Sequence, residues 1–360
     1  MKFDDFDWGK TVANWEKWWA GELGRPVFYF TGFREAERGN GGLPVKPFIS
    51  QYDFSIPAPE ILLNYEKKVL RNTRYYGDAF PAFWPNFGPG VLATFIGGEG
   101  HNHAETVWYS PGRFEDCGLK DIEVRLDKSS AWFKRIEEFF IAGAEIWNGK
   151  TVFGMTDLGG TLDVIASLRP AESLLLDLYD NPDEFKRLIG EVHTAWWEAY
   201  EHFEALSAKS SPGYSAWTPL LSQSRYYMLQ CDFSYMISPE MFEEFVKAEL
   251  ADSCRRMSRA FYHLDGKGEL PHLNHLCAIP ELAGIQWIPG DGMPPSADWP
   301  DVLREIVGSG RKLQVFVSTS DEVEKILSCL EKPEAVAFVG MNFKREEEEK
   351  LLSILKRFGV

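Results

Sequence analysis

The chain has 360 residues, of which 44% are hydrophobic and 14% aromatic, and this is enough apolar material to exclude an intrinsically disordered protein. Its formal net charge of −16 argues against nucleic acid and anionic membrane surfaces as partners, because both attract basic proteins. The length suits one large α/β domain or two smaller ones.

The five cysteines are scattered and never form a CxxC pair, which favours reduced thiols in a cytoplasmic protein. The first ten residues are acidic and lack the apolar stretch of a secretory signal. No apolar run approaches the roughly 18 residues that a membrane span needs. We therefore expect a cytoplasmic protein without a membrane segment, and the sequence leaves its oligomeric state open.

The N-terminal part begins with a Trp-rich amphipathic helix over Thr11 to Glu22, inside an N-terminal helical extension that we place at residues 1–25. The first buried strand follows at 26–30. Further on, 106–109 and 122–125 are predicted as short strands that form a hairpin over the mouth of the domain.

The rest of the chain alternates apolar strands with amphipathic helices, which demands a parallel sheet. Eight such strand–helix units in a chain of this length indicate a single (β/α)8 TIM barrel spanning 1–360. Beside the first strand, the clearest strands expected in that barrel are 151–155, 260–264, 285–288, 313–317 and 335–339.

The stretch from Ala260 to Gly292 is the most informative. Its first strand ends on His263-Leu264-Asp265-Gly266, and residues two apart on a strand project to the same side. His263 and Asp265 are therefore expected to lie together at the C-terminal end of that strand, where parallel α/β folds build their active sites.

Other polar side chains are predicted at the same mouth. Gln230 and Asp232 lie two apart and shortly before Tyr235, and Asp157 follows a strand end. We assign proton transfer to Asp232 or Tyr235 and substrate binding to Gln230 and Asp157, although Asp157 could instead cap the helix that follows it.

Trp217 and Gln286 complete the predicted substrate-binding set, with Trp217 either an apolar wall or a core residue. His272 and His275 are three apart on a predicted helix and so share one face. That spacing can chelate a metal, or the two rings can support the site from behind.

Five short segments in this order suggest a known family. They are Arg25-Pro26-Val27, Tyr76-Gly77-Asp78-Ala79, Gly154 with Thr161-Leu162, Ser238-Pro239-Glu240-Met241-Phe242, and His263 with Gly266. In these segments the chain resembles the uroporphyrinogen decarboxylase superfamily, which also holds corrinoid-linked methyltransferases. The resemblance implies a (β/α)8 barrel of the uroporphyrinogen decarboxylase-like type.

Departures from the family pattern distinguish its branches. The decarboxylases receive substrate carboxylates on an arginine-bearing segment after the first strand, where this chain keeps only Arg34 in register. Pro85 stands where the decarboxylases have an aspartate that binds the pyrrole nitrogens. The resemblance thus implies a substrate contact at Arg34 and disfavours uroporphyrinogen as the substrate.

The methyltransferase branch holds zinc with a His-x-Cys motif and a further cysteine at the last strand. Here Asp265 replaces the first cysteine and Val339-Gly340-Met341 lacks the second. The resemblance implies that His263 and Asp265 bind a divalent metal, with zinc as the first choice. The third ligand is left open among His272, His275, Asp232 and Glu269, and we include His275 in the predicted metal set. In the competing interpretation there is no metal, and Asp265 orients His263 as a general base.

The function expected from the sequence is therefore that of a methyltransferase-like enzyme acting on a small molecule, with Asp232, Tyr235, His263 and Asp265 as catalytic residues. Any corrinoid would be carried by a partner protein, because the chain lacks the DxHxxG motif of corrinoid carriers. The alternatives are a decarboxylase of the uroporphyrinogen type and a non-catalytic barrel that binds a small ligand.

Overall fold

The computed structural model describes residues 3, 6–33, 58–103, 106–208, 210–341, 343 and 345–360. Its helices are α1 (Trp8–Trp19), α2 (Pro59–Asn72), α3 (Ala131–Trp147), α4 (Thr161–Leu168), α5 (Ala171–Asp180), α6 (Pro182–Ser207), α7 (Pro239–Phe245), α8 (Lys247–Arg256), α9 (Leu273–Cys277), α10 (Pro300–Gly308), α11 (Ser320–Cys329) and α12 (Arg345–Arg357). Its strands are β1 (Val27–Phe33), β2 (Thr73–Gly77), β3 (Ala82–Phe83), β4 (Glu99–Asn102), β5 (Val107–Ser110), β6 (Val152–Phe153), β7 (Tyr226–Gln230), β8 (Arg259–Asp265), β9 (Leu282–Ile288), β10 (Lys312–Phe316) and β11 (Val336–Gly340).

The central sheet has seven strands in the order β2-β1-β11-β10-β9-β8-β7. Strands β7 to β11 and β1 run parallel to their neighbours, and β2 is antiparallel to β1 at one edge. Strands β3 and β6 form a separate parallel pair, and β4 and β5 form an antiparallel hairpin. The protein is a mixed α/β structure whose central sheet is mainly parallel.

Five of the six strands expected to share one parallel sheet do so, from 26–30 to 335–339. The strand expected at 151–155 is shorter, as β6, and pairs with β3 instead. Among the described residues no strand ladder joins this pair to the central sheet, so the closed eight-stranded barrel is not confirmed.

The predicted hairpin of 106–109 with 122–125 is wrong in its second strand. Strand β5 pairs with β4, and 122–125 forms no strand. The backbone N–H of Val124 donates instead to the Glu191 carboxylate of α6, at 2.9 Å, so the segment lies along that helix rather than in a ladder.

Burial of the strands follows from their parallel arrangement. Every residue of β7 and of β11 is buried, as expected for strands of a parallel sheet that is covered on both faces. The helix after β7 begins as the sequence predicts, since the Ser238 side chain accepts a hydrogen bond from the Met241 N–H and Pro239 occupies the first turn. No helix in the described part of the chain is long and apolar enough to cross a membrane.

A buried ion pair fastens the N-terminal helix to the sheet. Arg25 donates to both carboxylate oxygens of Asp78, at 2.7 and 2.8 Å, and the Asp78 side chain has no solvent exposure. The same carboxylate accepts from the Phe28 N–H of β1 at 3.1 Å and from Asn14 of α1 at 2.9 Å. One carboxylate therefore holds α1, the start of β1 and the segment after β2 together.

Replacing Arg25 tests how much the ion pair with Asp78 contributes to the free energy of unfolding. We expect Arg25→Ala to lower the free energy of unfolding by about 3–5 kcal/mol, because Asp78 is left buried without its cation. Arg304→Ala is the matched control: its partner Asp301 is 96% exposed, and loss of such a pair costs less than about 1 kcal/mol. Urea denaturation measures both, and equal effects would contradict the role given to Arg25.

Candidate functional site

Three side chains meet at the C-terminal edge of the central sheet. His263 and Asp265 end β8, and Asp232 directly follows β7. Their potential ligand atoms all lie within 4.8 Å of one another, and His263 Nε2 is 3.9 Å from Asp265 Oδ2. No other His, Cys, Asp or Glu residues in the described ranges form such a group.

The other ring nitrogen of His263 is held from the neighbouring strand. His263 Nδ1 lies 2.5 Å from Gln286 Oε1, and Gln286 is the register partner of His263 on β9. The Trp217 ring packs edge-on against the imidazole, with 4.9 Å between ring centroids. Burial lowers the pKa of His263, opposed by the Gln286 hydrogen bond and the Asp265 carboxylate, so the imidazole is neutral at pH 7.

Further carboxyl groups surround this group. Burial, followed by the charges of neighbouring carboxylates, raises the pKa of Asp157 and of Asp163 to about 7. The same causes hold the pKa of Glu269 well above its usual value. Asp232 reaches solvent, yet partial desolvation by surrounding protein atoms and then the Asp265 charge raise its pKa to about 6.

Basic residues do not compensate this charge in the described part of the chain. No lysine or arginine there forms an ion pair with any of these carboxylates. Burial is the main cause of the raised pKa values, and like charges that share this poorly solvated site add to it by opposing ionisation of one another. The site is therefore electrostatically suited to a cation.

Asp163 and Glu269 also hold the backbone beside Asp232 and at Asp265. Asp163 Oδ1 accepts from the Phe233 N–H at 2.7 Å, next to Asp232. Glu269 Oε2 accepts from the Asp265 N–H at 3.3 Å and from the Tyr262 hydroxyl at 3.5 Å. The turn before α4 comes close to β7, since a Cβ on Gly160 would lie 2.2 Å from the Gln230 carbonyl oxygen.

The predicted substrate-binding residues lie at different depths. Asp157 is buried, with its carboxylate accepting from the Gly159 N–H at 2.9 Å. Gln230 is buried at the end of β7, in register with His263. Gln286 is completely buried and contacts His263. Arg34 lies outside the described residues.

The predicted metal ligand His275 is not part of the group. It lies on α9, and its Nδ1 is 2.7 Å from the Glu243 carboxylate of α7. His272 is buried, stacks on Phe242 and is hydrogen-bonded to a backbone oxygen, so it supports the packing instead. Among the four candidates for a third ligand, the geometry favours Asp232.

The predicted proton-transfer residue Tyr235 lies at the rim. Its side chain is largely exposed, and the ring lies over Gly268, where a Cβ would be 2.2 Å from a ring carbon. A glycine at 268 is therefore needed for the ring to take this position.

Sequence reasoning missed two residues behind the site. Thr218 and Gln314 are both fully buried and both hydrogen-bond toward Gln286. A signal for Gln314 was present, because it is a polar residue inside an otherwise apolar strand, as Gln286 is on the strand beside it.

Comparison with solved structures finds a methyltransferase from Methanosarcina mazei, with a TM-score of 0.61 and 16% sequence identity. The similarity covers 97% of this chain and 99% of that protein. At this identity the likeness shows a shared fold and nothing finer. No protein-family model matches the chain, and no curated protein matches it.

The raised pKa of Asp157 predicts a particular dependence of stability on pH. A carboxyl group whose pKa is about 7 in the folded state and about 3.9 when unfolded makes the folded state progressively less stable from pH 4 to pH 7. In chelator-treated protein, Asp157→Asn should reduce the loss of unfolding free energy between pH 5 and pH 8 by on the order of 2 kcal/mol.

Asparagine keeps the oxygen that accepts from Gly159, so the turn should survive the substitution. Asp301→Asn, at a solvent-exposed carboxylate, should leave the pH dependence unchanged. Denaturation curves at several pH values measure the effect, and identical slopes for wild type and Asp157→Asn would refute it.

Proposed function

We propose that the protein is a methyltransferase-like enzyme that acts on a small molecule, with a divalent cation held by Asp232, His263 and Asp265. The observation that carries the proposal is this group, in which a neutral imidazole and two carboxylates lie close together. The carboxyl groups of Asp157, Asp163 and Glu269 lie near it, and no described lysine or arginine forms an ion pair with them. The whole-length fold likeness to a methyltransferase supports it.

The proposal includes a single (β/α)8 barrel. Strands β1, β3 and β6 to β11 would supply its eight parallel strands. Two side-chain contacts support closure: the Tyr29 hydroxyl of β1 donates to the Phe80 carbonyl before β3, and the Tyr227 hydroxyl of β7 accepts from the Leu158 N–H after β6.

The donor set suits zinc. Neutral imidazole and carboxylate are both competent ligands, and zinc accepts mixed nitrogen and oxygen sets. Two atoms bound at about 2.1 Å to a tetrahedral zinc ion lie about 3.4 Å apart, so these ligand atoms, which now lie within 4.8 Å of one another, would have to move closer together to bind it. The cation would also neutralise the charge that raises the pKa of Asp232.

When bound, such a cation supplies Lewis acidity that favours the deprotonated form of an acceptor hydroxyl or thiol. The protein's own groups position and exchange protons. His263 offers Nε2 while Gln286 holds Nδ1. Asp157, with a pKa raised to about 7, can accept or release a proton near neutral pH.

The methyl donor we propose is a corrinoid carried by a separate protein. When bound, it would supply a methyl group bonded to cobalt. Decarboxylation of uroporphyrinogen is the less favoured function, because Pro85 stands where the decarboxylases have an aspartate that binds the pyrrole nitrogens.

Zinc affinity tests whether His263 and Asp265, and not His275, bind the metal. We expect wild type to bind one zinc ion per chain and His263→Ala and Asp265→Ala to bind it at least about 100-fold more weakly. His275→Ala is the matched control and should bind zinc as wild type does, because its ring is engaged with Glu243.

Equilibrium dialysis against buffered zinc and cobalt measures these affinities. No binding by wild type would end the metal proposal. Equal binding by His263→Ala and Asp265→Ala would place the ion elsewhere.

Methyl transfer is tested without oxygen, with methylcobalamin as donor and a panel of thiols, amines and phenols as acceptors. We expect zinc-loaded wild type to convert methylcobalamin to cob(I)alamin, with one acceptor methylated per cobalt. His263→Ala should be at least about 100-fold slower and His275→Ala unchanged. If no acceptor is methylated although zinc binds, the proposed methyl transfer is wrong and the bound cation serves another function.

A further inference from the structure

A row of polar side chains crosses four neighbouring strands at one level. Backbone pairing aligns Gln230 of β7 with His263 of β8, His263 with Gln286 of β9, and Gln286 with Gln314 of β10. Register partners in a parallel sheet project from the same face. Gln286 and Gln314 have no solvent exposure, so their amides depend on partners inside the protein, and among the described residues Gln314 Nε2 has none.

The hydrogen bonds of this row have a direction. The Thr218 hydroxyl donates to Gln314 Oε1 at 2.8 Å, and Gln286 Nε2 donates to the same oxygen at 2.7 Å. Gln286 Nε2 also donates to Thr218 Oγ1 at 3.3 Å. Gln286 Nε2 thus donates toward Gln314 and Thr218, and its carbonyl oxygen is the atom that contacts His263.

We propose that Gln286 is a positioning residue, backed by Gln314 and Thr218, that holds the His263 proton on Nδ1. A carbonyl oxygen can only accept, so at 2.5 Å it requires a hydrogen on Nδ1. The lone pair of the neutral ring then lies on Nε2, which faces Asp265. His263 is fixed as a ligand before any cation arrives.

This inference rests on the proposed function for the cation, but the tautomer is a property of the chain alone. If the amides of Gln286 and Gln314 were both reversed, Gln286 would donate to Nδ1 and the proton would sit on Nε2. The two arrangements predict opposite tautomers, and the choice between them can be measured on metal-free protein.

The experiment compares Gln286→Glu with Gln286→Leu. A carboxylate keeps an acceptor beside Nδ1, whereas the leucine side chain is one atom shorter and offers none. Nitrogen NMR of ring-labelled histidine, on chelator-treated protein at pH 8, should show Nδ1–H in wild type and in Gln286→Glu. Gln286→Leu should shift His263 toward Nε2–H.

Zinc affinity gives the second readout. Loss of such a supporting contact typically weakens binding 10–100-fold, and we expect about that for Gln286→Leu but only a few-fold change for Gln286→Glu. If Gln286→Leu does not fold, Thr218→Val removes one hydroxyl from the row and should weaken zinc binding several-fold. Thr94→Val, which removes an equally buried hydroxyl elsewhere, should not.

An Nε2–H tautomer in metal-free wild type would overturn the inference, as would unchanged tautomer and zinc affinity in Gln286→Leu. An Nδ1–H tautomer in a wild type that binds no zinc would support the positioning role while refuting the proposed function. The two failures are therefore distinguishable.

Discussion

Carboxyl groups concentrated around one neutral imidazole are the constraint on which this site depends. Asp157, Asp163 and Glu269 are held among protein atoms beside Asp232 and Asp265, and the described residues supply no basic partner. Backbone N–H groups provide part of the compensation, from Gly159, Phe233 and Asp265 itself. Hydrogen bonds from amides favour the ionised form but do not cancel its charge, so the site remains disposed to bind a cation.

The fold brings these groups together from segments far apart in the chain. The parallel strands β7 and β8 end at one edge of the sheet, and the hydrogen bond from the Leu158 N–H to the Tyr227 hydroxyl brings the turn after β6 beside β7. The close approach at Gly160 brings α4 against β7 and places Asp163 where it can bind the Phe233 N–H. The residues that hold the backbone are thus as much part of the geometry as those that would hold the ion.

The sequence allowed prediction of the pair at the end of β8, because a two-residue period on a strand is a local property. It also allowed prediction of most strands and their parallel order, since strand–helix alternation leaves few other topologies. The third member of the group could not be chosen, because it depends on how two strand ends approach. His275 was preferred on its spacing from His272. In the structure α9 begins only at Leu273, after His272, and His275 lies against Glu243 of α7.

The row through Gln286 and Gln314 shows why the hydrogen bonds behind the site could not be predicted from the sequence. Each glutamine could be recognised alone as a polar residue in an apolar strand, but their contact follows from the register of β9 on β10, which the sequence does not reveal. Thr218 reaches the row from a loop that no periodicity describes.

Charge and backbone support are linked in this site. Asp163 and Glu269 bind the amides beside Asp232 and at Asp265, so neutralising either one would reduce the repulsion and also loosen the loop or strand end that presents a ligand. A bound cation would instead lower the repulsion while leaving both contacts in place. Anything that binds only the folded state adds to its stability, so cation binding and the stability of this edge of the sheet should rise together.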